Sequence, residues 1–438
     1  DRGLQSSERY KIGDVYYDKH SSYDTLGNLK RYEVWQGKVK SYEQLGTAHK
    51  TVIADYAYDV RGRMTQASEV DKNGNRTILA EYTYDNNGNR TSMKNVNGIV
   101  TNYVYNKANL ITELTNKRDG DIISKYNYSY SVDGNQTSKS DNKGNVTSYS
   151  YDGLGRLKTE SENSKSRGLT TKSYNYDYSG NRSSMTVSGT ENYTTEYSYD
   201  DDNRLEKERK TYTNGNITTL DYTYDGNGNQ RKKIESQSKS KVSGPIKIGI
   251  ALPEELETTY EERKYDLFNQ LTNVSDGKMN ASYTYMPDGL RMSKNVNGEY
   301  TGFIWHGSQI LEITDRNGNM MDRYKYGVER IGDNSGNSYI YNAHGDVTGL
   351  VSSNGMVYKE YEYDAFGVEV NKDDNDTNYF RYCGEYFDKE TDSIYLRARY
   401  YSPMSGRFTT EDPARDGGNW YAYCEGSPVG FIDPSGKT

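Results

Sequence analysis

The stretch Tyr82-Thr-Tyr-Asp-Asn-Asn-Gly-Asn-Arg90 decides how this chain folds. Tyr82 and Tyr84 are two residues apart, so in a strand they point to one face. Asp85 follows, with a carboxylate that can accept from the backbone N–H groups just ahead of it. Gly88 supplies a positive φ that other residues resist, and Asn89 tolerates the same region. These residues predict a hairpin built on a type I turn with a bulge, with Arg90 opening the return strand.

The unit recurs. Tyr-Asp stands at 58–59, 151–152, 176–177, 199–200, 224–225, 265–266 and 363–364, with worn copies at Tyr105-Asn106, Tyr130-Ser131, Tyr285-Met286 and Tyr341-Asn342. The near twin of the first stretch is Tyr222-Thr-Tyr-Asp-Gly-Asn-Gly-Asn-Gln230. Spacing is mostly 20 to 26 residues, and a second turn signal falls about halfway, as in Asp71-Lys-Asn-Gly-Asn75 and Asn295-Val-Asn-Gly298. Asn-Gly between alternating residues is a strong hairpin signal. Each period therefore holds two strands and two turns, which leaves strands of about 7 residues, roughly 23 Å long. The expected fold is all-β: a long antiparallel meander of short strands. The pattern widens once, with an irregular insertion expected over about 231–262 that includes Pro245 and Pro253. It reads as a loop between repeats or as a docking segment.

Composition constrains what such a meander can become. Of 438 residues only 32% are hydrophobic, while 46 are Tyr, 42 Gly and only 7 Phe. Low aliphatic content argues for disorder, but a periodic supply of tyrosine does not, because Tyr favours strands and pairs across them. A dry core of ordinary thickness cannot be filled from this material, so a single-layer sheet with water on both faces is expected. A long twisted sheet cannot stay flat and should coil, into a solenoid or a wide hollow shell. The net charge of −8 argues against a nucleic-acid partner. No apolar run reaches the roughly 20 residues of a membrane span. No secretory signal opens the chain at Asp1, so a targeting signal is expected upstream.

The last seventy-odd residues break the repeat. They contain Tyr361-Glu-Tyr-Asp-Ala-Phe-Gly367, Tyr395-Leu-Arg-Ala-Arg-Tyr-Tyr401, Gly406-Arg-Phe-Thr-Thr-Glu-Asp-Pro413 and Asp433-Pro-Ser-Gly436, with both cysteines, Cys383 and Cys424. This block resembles the Rhs-associated core that closes YD-repeat shells in bacterial Rhs proteins, in the C subunits of Tc toxins and, more distantly, in teneurins. The repeat Tyr149-Ser-Tyr-Asp-Gly-Leu-Gly-Arg-Leu157 matches that family's spelling closely. The resemblance implies a hollow shell of spiralling repeats over 1–360, capped by a core domain and plug at 361–438. It implies a monomeric shell, secreted or at the bacterial cell surface, whose partners are its own C-terminal toxin domain and an upstream delivery or secretion module. Its implied role is to sequester the toxin for bacterial competition or host attack.

The same resemblance assigns a site. In these families two Asp-Pro-x-Gly motifs form an intramolecular aspartyl protease that cuts just after the second. Here the catalytic candidates are Asp412 and Asp433, with Arg407 and Asp416 as helpers. Asp433-Pro-Ser-Gly436 fits the motif, whereas Asp412-Pro-Ala-Arg415 carries Arg415 at the glycine position, and Lys437 stands where self-cleaving members usually carry leucine. Read from the residues alone, the Asp-Pro pairs are either a proton-sharing dyad or turn formers in a plug. Arg397 and Arg399 alternate with Leu396 and Ala398, so they are expected on one strand face, paired with carboxylates. No cofactor is expected. No metal site is expected either, because His20, His49, His306 and His344 are scattered and two cysteines do not make four ligands. Cys383 and Cys424 are either two reduced core thiols or a disulfide. The acidic run Lys372-Asp-Asp-Asn-Asp376 lacks the glycine and terminal glutamate of a calcium loop. A reading from another class is an extracellular adhesion array whose exposed tyrosines stack on glycans.

Overall fold

The computed structural model describes residues 3–71, 73–239 and 254–437 of the chain. Thirty strands form one long antiparallel sheet and four short strands form a second. Among the described residues the helical pieces are 3₁₀ turns of three residues, and no helix is long and apolar enough to cross a membrane.

The opening stretch folds as its residues dictate. The strands Arg76–Tyr84 and Arg90–Asn95 pair antiparallel, and the register shifts by a bulge between Thr83 and Tyr84. Asp85 Oδ1 accepts the Asn89 N–H at 2.8 Å, Oδ2 accepts the Asn89 side-chain amide at 2.9 Å, and Gly88 takes φ 94°. The same carboxylate cradle recurs at Asp59, Asp152, Asp177, Asp225 and Asp266. Where glycine is missing, Asn109, Asn203 and Asn269 take its place with φ of 61°, 63° and 61°.

The second tyrosine of each unit has a function that the strand pattern does not show. The Tyr84 hydroxyl donates to the carbonyl of Met64, the first residue of the preceding unit's return strand, at 2.7 Å. Tyr58 does the same to Leu29 and Tyr105 to Arg90. Tyr151, Tyr176, Tyr199 and Tyr224 donate to Gln136, Leu157, Arg182 and Leu205. Phenylalanine cannot make this link, which favours tyrosine at this position of the repeat.

By packing, the chain falls into two compact units. The first comprises residues 1–127, 300–343 and 347–360. In it the strands after 300 lie against the early repeats: Ile331 packs with Leu79, Tyr82 and Met93, and Ile304 and Leu311 pack with Tyr17, Tyr32 and Val34. The second unit comprises residues 128–299, 344–346 and 361–438. Its repeat strands alternate: along Val146–Tyr151, Thr147 and Tyr149 are buried while Val146, Ser148 and Ser150 are exposed. The covered face meets the closing block, as where Phe366 packs on Tyr149, Leu157 and Tyr174. A sheet wetted on both faces is therefore corrected. Later parts of the chain dry one face of each unit in small tyrosine-rich clusters.

Within the stretch expected to be irregular, about 231–262, two strands are regular. Gln230–Lys239 and Glu254–Tyr265 pair from Lys232↔Glu262 to Lys239↔Glu254, with one bulge. Pro245 and Pro253 lie outside the described residues.

Candidate functional site

The closing block is built on the strands Tyr386–Asp388, Ser393–Tyr395, Tyr400–Ser402 and Arg407–Phe408. Tyr382, Ile394, Leu396, Tyr401, Phe408 and Tyr423 form its buried core. Polar anchors fix it to the repeat strands of the same unit. Arg291 and Lys294 both reach Asp388, Lys172 reaches Asp364, Glu160 accepts the Ala365 N–H, and Tyr421 donates to the Gly228 carbonyl.

Between the second and third of these strands the chain turns sharply. The Leu396 N–H bonds the Arg399 carbonyl, and Arg397 takes φ 62°. The expectation that Arg397 and Arg399 share a strand face is corrected by this turn. Arg397 leaves it to make a two-pronged contact with Glu385, at 2.7 and 3.0 Å. Arg399 points the other way, stacks on the Phe408 ring, and meets both candidate carboxylates. Its Nη2 lies 3.9 Å from Asp412 Oδ1 and 3.6 Å from Asp433 Oδ2. All three side chains are buried. Burial pulls the Arg399 guanidinium down to about 10, against the pull of the two carboxylates.

The two Asp-Pro motifs share one local geometry. Asp433 Oδ1 accepts the N–H of Ser435 at 3.1 Å and of Gly436 at 2.8 Å. Asp412 Oδ1 accepts the N–H of Ala414 at 2.9 Å. Proline holds each aspartate extended, and the fourth residue turns left-handed, with φ 70° at Gly436 and φ 51° at Arg415. Arg415 thus keeps the glycine conformation without being glycine. Gly436 has a second constraint: a Cβ there would meet the Leu396 carbonyl oxygen at 2.7 Å and the Arg399 nitrogen at 2.9 Å. The final segment is pinned to the arginine turn, since Arg399 Nε donates to the Gly436 carbonyl and the Ala398 N–H to the Ser435 carbonyl.

The structure thus brings Asp412 and Asp433 to one arginine. It places the helpers differently. Arg407 donates to Asn181 Oδ1 and the Asn203 carbonyl and stacks near Tyr199 and Tyr421, so it ties the block to the repeats. Asp416 approaches Asp412 through its backbone N–H, at 3.4 Å, and its carboxylate accepts the Gly417 N–H. The residue that joins the two motifs is Arg399, which its sequence marks only as an arginine in want of a carboxylate. Cys383 and Cys424 are free thiols, and burial pushes Cys424 up to about 12. The scattering of the histidines is also corrected in one case, because the fold sets His344 beside Cys383.

Comparison with known proteins bears on the repeats and on the fold. A family profile described as RHS Repeat matches residues 130–167. The tRNA nuclease WapA of Bacillus subtilis is 34% identical over 200 residues, covering 41% of this chain and 8% of that protein. The toxin protein Tse5 of Pseudomonas aeruginosa is 43% identical over 58 residues, 13% of this chain and 4% of that one. The chain thus spans less than a tenth of the length of these relatives. Among solved structures, the Tc holotoxin pore of Photorhabdus luminescens matches with TM-score 0.65 at 19% identity, over 96% of this chain and 21% of that one. The TcdB2–TccC3 complex with Cdc42 matches with TM-score 0.59 at 18% identity, over 96% and 22%. The chain thus carries an RHS repeat at 130–167 and is similar to WapA over 41% of its own length. Its fold is that of the β-shell segments of Tc toxins.

Proposed function

We propose that this chain is the wall and closing end of a containment shell for a toxin segment continuing past Thr438, delivered to competing bacteria or a host. In this reading residues 1–360 supply the wall and 361–438 the closing block, and the second Asp-Pro motif presents the bond that is cut. The observation that carries it is the convergence of Asp412 and Asp433 on the buried Arg399, with the carbonyl of Gly436 held by the same guanidinium. Aspartyl-type hydrolysis needs two carboxylates at one point, one of them protonated, beside a fixed peptide carbonyl. Arg399 supplies a positive charge next to the pair and fixes the strand that leads to the scissile bond. Secretion, a monomeric shell and an upstream delivery module belong to the same proposal.

The adhesion reading loses support from the tyrosines. The tyrosines of the repeat motif, such as Tyr82, Tyr84 and Tyr176, are buried or donate to neighbouring backbone, and exposed ones such as Tyr178, Tyr260 and Tyr358 form no regular row.

The test is the chain extended past Thr438 by a passenger domain, followed by mass spectrometry and by protease protection of the passenger. Self-cleavage near Lys437 that stops in Asp412→Asn and Asp433→Asn, with a protected passenger, supports the reading. Cleavage that survives both substitutions eliminates the dyad. An intact passenger digested as fast as the free domain eliminates containment.

A further inference from the structure

A second cluster lies within the closing unit, apart from the two Asp-Pro motifs. His344 and Asp346 sit in the turn between the strands Ser338–Tyr341 and Val347–Val351, and Cys383 sits in the 3₁₀ turn Tyr382–Gly384. His344 Nδ1 lies 2.9 Å from Asp346 Oδ1 and 3.9 Å from Cys383 Sγ. The nitrogen, carboxylate and sulfur atoms all lie within 4.8 Å of one another. Asp346 is buried and the other two are half-buried.

This geometry does not suit a nucleophilic triad. There the histidine meets the thiol with one ring nitrogen and the carboxylate with the other. Here thiol and carboxylate both face Nδ1. Three different donors converging on one point is instead what a metal ion requires. Tetrahedral zinc, with bonds of about 2.0–2.3 Å, sets its ligand atoms roughly 3.3–3.8 Å apart. The surroundings match as well. His344 Nε2 faces the Phe431 carbonyl at 3.4 Å, the kind of outer contact that fixes a ligating imidazole and leaves Nδ1 as the lone pair. The Tyr423 hydroxyl lies 3.6 Å from the sulfur, and the Cys383 N–H donates to Asp346 Oδ1 at 3.0 Å. The mixed sulfur, nitrogen and oxygen set favours a borderline-soft divalent ion over magnesium or calcium.

The geometry points to a zinc site formed by His344 Nδ1, Asp346 Oδ1 and Cys383 Sγ, with a fourth position for water or the Tyr423 hydroxyl. Binding releases the thiol proton, and the ion gains a thiolate, a carboxylate and a neutral imidazole. The ion ties residues 344–346 to the 383 turn, and through Phe431 it steadies the segment that carries Asp433, two residues on.

The folded chain, stripped with chelator, is titrated first with zinc and then with cobalt. We expect one equivalent bound, a rise in Tm with zinc, and a sulfur-to-cobalt charge-transfer band in the near ultraviolet. Cys383→Ser should abolish that band, His344→Ala and Asp346→Asn should each weaken zinc binding at least tenfold, and Cys424→Ser should leave both unchanged. If a variant does not fold, the cobalt spectrum of the unaltered chain decides. A folded chain with no sulfur band at stoichiometric cobalt overturns the site, as does zinc bound equally well by Cys383→Ser.

Discussion

Arg291 and Asp388, 97 residues apart in sequence, meet with neither side chain exposed to solvent. Asp388 also meets Lys294, at 2.9 Å, and Glu390 meets the same lysine at 3.1 Å, so two carboxylates of the closing block hold two cations of a single repeat strand.

Removing the Asp388 carboxylate takes the ion-pair partner from the buried Arg291, while Lys294 keeps Glu390 at 3.1 Å, and breaking a buried pair typically costs about 3–5 kcal/mol. Asp388→Ala should therefore lose at least about 3 kcal/mol in urea unfolding. Asp221→Ala, which breaks the exposed pair with Lys207, should lose no more than about 1 kcal/mol. Equal losses in the two variants would refute the anchoring role of Asp388.

The tyrosine links predict a deletion of one atom at a time. Tyr84→Phe and Tyr176→Phe each leave a backbone carbonyl without its donor and should each cost about 1 kcal/mol. Tyr178→Phe, at a fully exposed turn position, should cost nothing measurable. Chemical denaturation of the three single variants checks this.

Glu160 predicts a pH dependence. Burial pushes its carboxyl from 4.5 up to about 7, with Lys172 pulling against the shift. Below about 4.5 folded and unfolded chains are both protonated there. Between 4.5 and about 7 the unfolded chain releases the proton and the folded chain keeps it. Stability therefore falls as pH rises through that window, by about 3 kcal/mol from this group. Glu160→Gln should flatten that part of the profile, measured by urea midpoints from pH 4 to 8. An unchanged slope would contradict the assignment.

Arg415 and Gly436 occupy equivalent positions with opposite consequences. Arg415→Gly should stabilise the protein by about 1 kcal/mol, since a non-glycine residue is strained at φ 51° and its contact with Glu411 is exposed. Gly436→Ala should destabilise it, because the added methyl meets backbone atoms that cannot yield. Thermal unfolding of the two variants should move in opposite directions.

Much of the fold is written in single residue types. Asp85, Gly88 and Asn89 declare their hairpin locally, because the carboxylate, the positive φ and the amide act within five residues. The acceptors of the tyrosine hydroxyls are not legible, since Met64 is marked only by its place one repeat earlier. Nor is the packing of 300–343 and 347–360 on the first 127 residues, which leaves no periodic trace. At the site, Asp412 and Asp433 are legible as a motif pair, and their meeting at Arg399 is not. Arg399 reads as a strand residue because alternation is the only local cue, and the left-handed backbone of Arg397 overrides it.

The tyrosine links also have a direction. In the regular repeats each hydroxyl reaches back to the unit made before it, as Tyr58 does to Leu29 and Tyr224 to Leu205. A newly synthesised repeat therefore finds the acceptor of its tyrosine link already in place, and only the drying of its covered face waits for later residues. The repeats can lock in the order in which a ribosome releases them, leaving one fresh strand edge at the growing end. Such a ratchet suits a long meander, whose loose intermediates would otherwise expose many unpaired edges at once.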